Sequence, residues 1–283
     1  MEEAIDHLQH LDLKKLPVED ARKLLATMGK LPFMLSEFES GKLIDRAVLN
    51  SNLEPEFNTK ARIFYKPPQY NKTFQRASSP SQTMFYGSIT PEETSEDEID
   101  NARITAAFEL VDLLRDTNSG DGERVITYGK WLVTEKLSLI AIVDPQKQYK
   151  VKYLNDIASG YRNQISDLPV ALKQKTLDWL SFLTNEFRKD VKKDEEYNYM
   201  ISGLFSEIAA QMNVDGVLYP SVRTNEDGIC IAIKPESAEA KLELIKVLQC
   251  KLVKVAKKVS IVNLKYCDVF NNDDEFQLKP IKD

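Results

Sequence analysis

Two short, nearly continuous apolar runs, residues 137–143 and 229–233, stand on either side of a long helix-rich segment at residues 151–212. Strands that come early and late with helices between them do not follow the strand–helix alternation of a doubly wound parallel sheet. They predict a mixed α+β fold. Neither run alternates with polar residues, so both are expected to be buried strands. Residues 124–133 do alternate and read as a further strand. Two shorter candidates precede them. Ala61-Arg62-Ile63-Phe64-Tyr65 is strand-like up to the break at Pro67-Pro68, and residues 83–86 read as a short buried strand ended by Gly87-Ser88. Residues 215–220 read as a turn and a short strand. Residues 242–270 alternate apolar residues with lysine, which places Lys251, Lys254, Lys257 and Lys258 on a solvated sheet face or a protected edge.

Residues 1–55 read as a polar helical extension, with a second helix expected over 18–28 between Pro17 and Gly29. The division is therefore an N-terminal extension, 1–55, and a main domain, 56–283, built on a small mixed sheet with helical insertions. A chain of 283 residues buries roughly 75% of its unfolded surface and needs no disulfide staples. Cys230, Cys250 and Cys267 are odd in number, widely spaced and set in apolar segments, so buried thiols are expected and no metal site. Both histidines, His7 and His10, sit near the start, leaving the main domain without a histidine base.

With 38 basic against 44 acidic side chains and a net charge of −6, the dense basic face of a nucleic-acid binder is not expected. No stretch approaches the roughly 18 apolar residues of a membrane span. Residues 1–16 are charged throughout, without the apolar core of a signal peptide, and a cytoplasmic protein is expected. Neither GxGxxG nor GxxxxGK[ST] occurs, so neither glycine-rich phosphate cradle is expected.

The residues that carry chemistry form one ordered pattern. Arg62 comes first, then Phe74-Gln75-Arg76-Ala77-Ser78-Ser79-Pro80 and Met84-Phe85-Tyr86-Gly87-Ser88. Glu109 follows on a helix after Ala106-Ala107-Phe108, and Asp215-Gly216-Val217-Leu218-Tyr219-Pro220-Ser221 comes much later. Read by residue type, the pattern suits a dinucleotide. Arginine's planar fork grips phosphate oxygens, and small Ser and Ala side chains leave room for a pyrophosphate. A tyrosine face suits a nicotinamide or adenine ring. A carboxylate among apolar neighbours, costly without a purpose, can hold ribose hydroxyls or stabilise positive charge on the sugar. Arg223 can pair with phosphate or with an acidic neighbour. Tyr197 and Tyr199 read as packing residues, Trp131 and Trp179 as core, and residues 188–196, of mixed sign, as a solvated surface.

This order of residues over about 56–270 resembles the RES domain, a family named for its characteristic Arg, Glu and Ser. The resemblance implies an NAD⁺-consuming toxin with an ADP-ribosyltransferase-like fold, breaking the nicotinamide–ribose bond by glycohydrolysis or phosphorolysis. It assigns catalysis to Glu109, Tyr86, Arg62 and Ser221, and NAD⁺ binding to Arg62, Arg76, Tyr86, Ser88 and Ser221. It also implies a neutralising antitoxin protein, commonly helical, and no metal. Protein ADP-ribosylation shares the same donor site, and a catalytically silent NAD-binding or interaction module is the third reading. The acidic stretch at residues 92–100 supplies a rival carboxylate, Glu93. A homodimer is left open.

Overall fold

The structure is a computed structural model that describes residues 2–90, 102–115, 120–256, 258–270 and 273–281. Helices α1 (Glu2–His10) and α2 (Val18–Ala26) open the chain. Strands β1 (Leu35–Phe38) and β2 (Leu43–Leu49) follow, then the short helix α3 (Lys60–Ile63) and strand β3 (Phe85–Ile89). Helices α4 (Ala102–Leu110) and α5 (Asp112–Arg115) lead into the strands β4 (Gly122–Val133) and β5 (Leu137–Ala141). Helices α6 (Lys152–Gln164), α7 (Val170–Phe187) and α8 (Met200–Ala210) form the helical middle of the chain. Strands β6 (Gly216–Pro220) and β7 (Ile229–Ile233), helix α9 (Pro235–Lys241) and strands β8 (Leu242–Val255), β9 (Lys258–Asp268) and β10 (Lys279–Pro280) complete it.

The fold is mixed α+β, and its sheet is large rather than small. Among the described residues ten strands run in the order β1-β5-β6-β7-β3-β2-β4-β8-β9-β10. Among these described strands only the β5–β6 pair is parallel. The stretch expected to be wholly helical, residues 1–55, supplies β1 at one edge and β2 between β3 and β4. Ala61–Tyr65, expected as a strand, instead begins in α3. The short alternation there was ambiguous between periods, and the four-residue turn of helix satisfied it equally well.

The unbroken apolar runs have a direct cause. In β6 and β7 every residue is buried, because helices cover both faces of the sheet at this point. Leu139, Leu218, Ile231 and Ile233 pack with α6 through Leu154, Ala158 and Tyr161. Residues of the opposite parity, Ile140, Val217, Tyr219 and Ala232, pack with α2, α7 and α8 through Leu25, Leu183 and Phe205. A third cluster joins Ala107 of α4 to Ile126, Tyr128 and Leu252. Trp131 and Trp179 are core residues, as expected.

The Asp-Gly pair at the start of β6 is structural. A Cβ on Gly216 would lie 2.0 Å from the Ala232 carbonyl oxygen, so only glycine lets β6 meet β7 there. Asp215 accepts from the Ser138 amide at 2.8 Å, Ser237 Oγ at 2.6 Å and Lys241 Nζ at 2.9 Å, tying β5 and α9 to the strand. Burial works to raise its pKa, but these hydrogen bonds outweigh it and hold the carboxyl below the usual range.

The lysine row divides. Lys258 is exposed and Lys251 pairs with Glu123 at 2.7 Å. Lys254 is buried instead, its Nζ donating to the Leu113 carbonyl at 3.0 Å. Lys257 lies outside the described residues. Among the described residues no helix is long and apolar enough to cross a membrane.

Candidate functional site

A turn, a strand, a helix end and a loop converge on one cavity of about 500 Å³. The turn is Gln75–Ser78, closed by reciprocal backbone hydrogen bonds of 2.7 and 3.3 Å. Ala77, Ser78 and Ser79 are all buried. Their small size serves packing on α8, where a Cβ on Gly203 would stand 3.2 Å from the Ser78 carbonyl oxygen and 3.3 Å from that of Gln75. The turn is therefore held tightly, and it aims Arg76 inward.

Arg76 is 6% exposed. Its Nη1 donates to the carbonyls of Phe187 and, at 3.2 Å, Lys189. The last carbonyls of a helix have no partner within it. Arg76 thus caps the C-terminal end of α7 and sets positive charge at the negative end of its dipole. Nη2 donates to the Tyr199 hydroxyl at 3.2 Å, and the guanidinium lies over the rings of Tyr199 and Tyr219, 5.0 and 6.0 Å from their centroids. Burial opposes the charge of Arg76, but Tyr199 and Glu109 outweigh that and leave its pKa above the ordinary arginine value.

Glu109 comes from the last turn of α4, and its side chain is 23% exposed. Its Oε2 is 4.0 Å from Arg76 Nη2. Its Oε1 accepts a 2.7 Å hydrogen bond from Ser221 Oγ. Ser221 follows β6, is wholly buried, and accepts in turn from the Thr224 amide at 3.3 Å. A charge-assisted pair of this kind fixes the carboxylate in one orientation.

Tyr86, on β3, forms a wall. Its hydroxyl accepts from the Ala77 amide at 3.1 Å and shares a 2.8 Å hydrogen bond with Ser78 Oγ. Burial raises its pKa to about 12, so the phenol is neutral at any physiological pH. Burial likewise pushes the Tyr219 phenol and the Cys230 thiol far up. Tyr219 and Cys230 are thus neutral neighbours of Glu109, and Arg76 is the charged one. Ser88, two residues along β3, is buried and lines the same cavity.

The structure thus brings Arg76, Tyr86, Ser88 and Glu109 to one cavity, with Ser221 behind the carboxylate. It does not bring Arg62 there. Arg62 stands half exposed on α3, its Nε 2.6 Å from Glu54 Oε1 and its guanidinium 5.0 Å from the Phe57 ring centroid. Arg46 of β2 lines the cavity in its stead, donating to the carbonyls of Phe64 at 3.0 Å and Tyr86 at 2.7 Å. Burial lowers its pKa to about 10, which leaves it cationic. Its strand does not alternate cleanly, and nothing in the sequence flagged it. Tyr199, read as a packing residue, faces Arg76. Residues 188–196, read as a solvated surface, contribute Val191, Lys192, Lys193 and Glu196 to the cavity wall. Arg223 pairs with an acid, Asp190. Glu93 lies outside the described residues.

Among the described residues no group of three or more His, Cys, Asp or Glu is placed to hold a metal ion. No protein-family model matches the chain, and a comparison with curated proteins finds no match.

Proposed function

We propose that this protein binds NAD⁺ in the cavity and breaks the bond between nicotinamide and ribose. The observation that carries the reading is the carboxylate of Glu109, held by Ser221 at 2.7 Å, 4.0 Å from Arg76, and facing a cavity of about 500 Å³ walled by Tyr86. That volume lies within the range of small-molecule sites. The reaction asks little else of a protein. As the C1′–N bond breaks, its electron pair stays on the ring nitrogen and nicotinamide leaves neutral, so no general acid is required. Positive charge develops on the ribose as in glycoside hydrolysis. A fixed negative charge stabilises that transition state more than the ground state. Water then adds through oxygen to C1′ and gives up a proton, yielding ADP-ribose. Phosphate in place of water yields the 1″-phosphate.

In this reading Glu109 is the catalytic residue, Ser221 positions it, Tyr86 offers its ring to the nicotinamide and Ser88 a hydroxyl to the ligand. Arg76 sets the direction of Glu109 and of the loop beyond α7. Kinship with ADP-ribosyltransferase folds, action as a cytoplasmic toxin and a neutralising protein that fills the same cavity go with the RES-family resemblance and rest on it.

The test is nicotinamide release from NAD⁺ by the purified chain, with and without phosphate, beside Glu109→Gln and Ser221→Ala. Removing one preorganised electrostatic group costs about 10²–10³ in rate, and Glu109→Gln is expected to lose that much. Ser221→Ala, which leaves the carboxylate in place but loose, is expected to lose about 10-fold. Mass spectrometry of candidate acceptor proteins separates transfer from hydrolysis. No nicotinamide release under any condition sinks the reading.

A further inference from the structure

We propose that Lys66, Lys192 and Lys193 form a phosphate-holding mouth to this cavity, and that Arg76 is a positioning residue rather than the phosphate clamp its sequence setting suggests. The inference rests on the reading of the cavity as a dinucleotide site and names where the charged part of the ligand lies.

Each arginine of the cavity donates to protein acceptors. Arg76 gives both hydrogens of Nη1 to carbonyls and one of Nη2 to Tyr199. Arg46 binds the carbonyls of Phe64 and Tyr86, and Arg223 binds Asp190 and the Val191 carbonyl. Each of these guanidinium groups is thus held in place by hydrogen bonds to the fold, and a phosphate gripping its fork would have to compete with them. The lysines differ. Lys66, Lys192 and Lys193 are exposed, line the cavity, and pair with no acid among the described residues.

They also stand on fixed backbone. Lys66 follows α3 and precedes Pro67, whose ring restricts the lysine's own backbone. Lys192 and Lys193 sit on a turn closed by the Glu195 amide on the Lys192 carbonyl at 3.2 Å, with Asp194 in the left-handed region at φ 70°. The approach to that turn is pinned twice: by Arg76 on Phe187 and Lys189, and by Arg223 on Asp190 and Val191. The loop therefore needs little ordering when a ligand arrives.

Charge decides the direction in which a dinucleotide enters. Six basic and three acidic side chains line the cavity, in a chain whose net charge is −6. The acids Glu196 and Asp112 share the wall with the lysines, and Glu109 stands inside with Ser221 wholly buried behind it. A pyrophosphate placed against Glu109 would meet like charge, whereas the cationic nicotinamide ring would meet opposite charge. The ring and its ribose therefore belong at Glu109 and the pyrophosphate at the lysines. Ammonium groups bind phosphate as point charges and tolerate the imprecise geometry of an open mouth.

The test is calorimetric titration of ADP-ribose and of inorganic pyrophosphate into the parent chain and into a Lys66→Ala, Lys192→Ala, Lys193→Ala triple variant. All three side chains are exposed, so the variant is expected to fold. Nicotinamide release is followed on the same preparations. The expected result is that both probes bind the parent, more weakly as salt rises, and that the triple variant binds each about 10-fold or more weakly. KM for NAD⁺ is expected to rise by a similar factor with kcat nearly unchanged. Equal affinity of parent and variant for both probes, or no binding of either to the parent, overturns the mouth. Lysine-dependent binding without nicotinamide release keeps the mouth and removes the cleavage reading. Nicotinamide release with KM unchanged in the triple variant keeps cleavage and removes the mouth.

Discussion

Replacing Arg76 by alanine removes a buried guanidinium that caps a helix, stacks on two tyrosines and faces Glu109. The cost can be built from these contacts. The Phe187 carbonyl, at a residue 1% exposed, loses its donor, and a buried acceptor left without one costs about 1–3 kcal/mol. The Lys189 carbonyl sits at a half-buried residue and can turn to water, so it adds little. Loss of the guanidinium over Tyr199 and Tyr219 adds about 0.5–2 kcal/mol. Glu109 keeps Ser221 but loses its nearest cation. The sum is about 1.5–5 kcal/mol, and the loss of charge compensation at Glu109 places the expected value toward its upper half. Against a total stability of about 5–15 kcal/mol this is a large fraction. In a chain of this size it lowers Tm by on the order of 10 °C. Urea unfolding and scanning calorimetry of parent, Arg76→Ala and Arg76→Lys measure it. Lysine retains charge without the planar fork, so Arg76→Lys is expected to fall between the other two. A loss below about 1 kcal/mol in Arg76→Ala would refute the reasoning. It would mean that Arg76 is solvated and free to grip a ligand.

Two further outcomes follow from the same packing. Gly203→Ala places a Cβ 3.2 and 3.3 Å from two carbonyl oxygens of the turn that carries Arg76. Despite roughly 1 kcal/mol of gained helix propensity, crowding against that fixed backbone is expected to destabilise by about 1–3 kcal/mol; a rise in Tm would show that the turn yields. Asp215, whose pKa is held below its ordinary value, contributes stability that is full above an unfolded pKa of about 4 and fades as pH falls through the folded value. Asp215→Asn is therefore expected to lower the urea midpoint at pH 7, with the gap to the parent closing below about pH 4. A gap constant from pH 7 to pH 3 contradicts that assignment.

Sequence alone settled the elements whose signal is local. Residues 229–233 are apolar without interruption because both sheet faces are covered there, and so β7 was legible. The helices of residues 151–212 and the long strands after residue 242 were legible for the same kind of reason, a period that repeats over many residues. The order of Arg76, Tyr86, Glu109 and Ser221 was also written in the chain. Their convergence on one cavity was not, because it depends on strands far apart in sequence becoming neighbours: β3 lies between β7 and β2. Tertiary pairing also drew β1 and β2 out of a stretch with weak local preference. A strand's hydrogen bonds are made to other strands, and no short window of sequence contains them. It likewise separated two arginines that look alike on paper. Arg62 met Glu54 at the surface, while Arg46 was carried inward by β2. Which charges of residues 188–196 face a ligand and which face water was decided by where Arg76 and Arg223 hold that loop. Residue type states what chemistry is available, and only long-range packing states which groups are already spent on the fold.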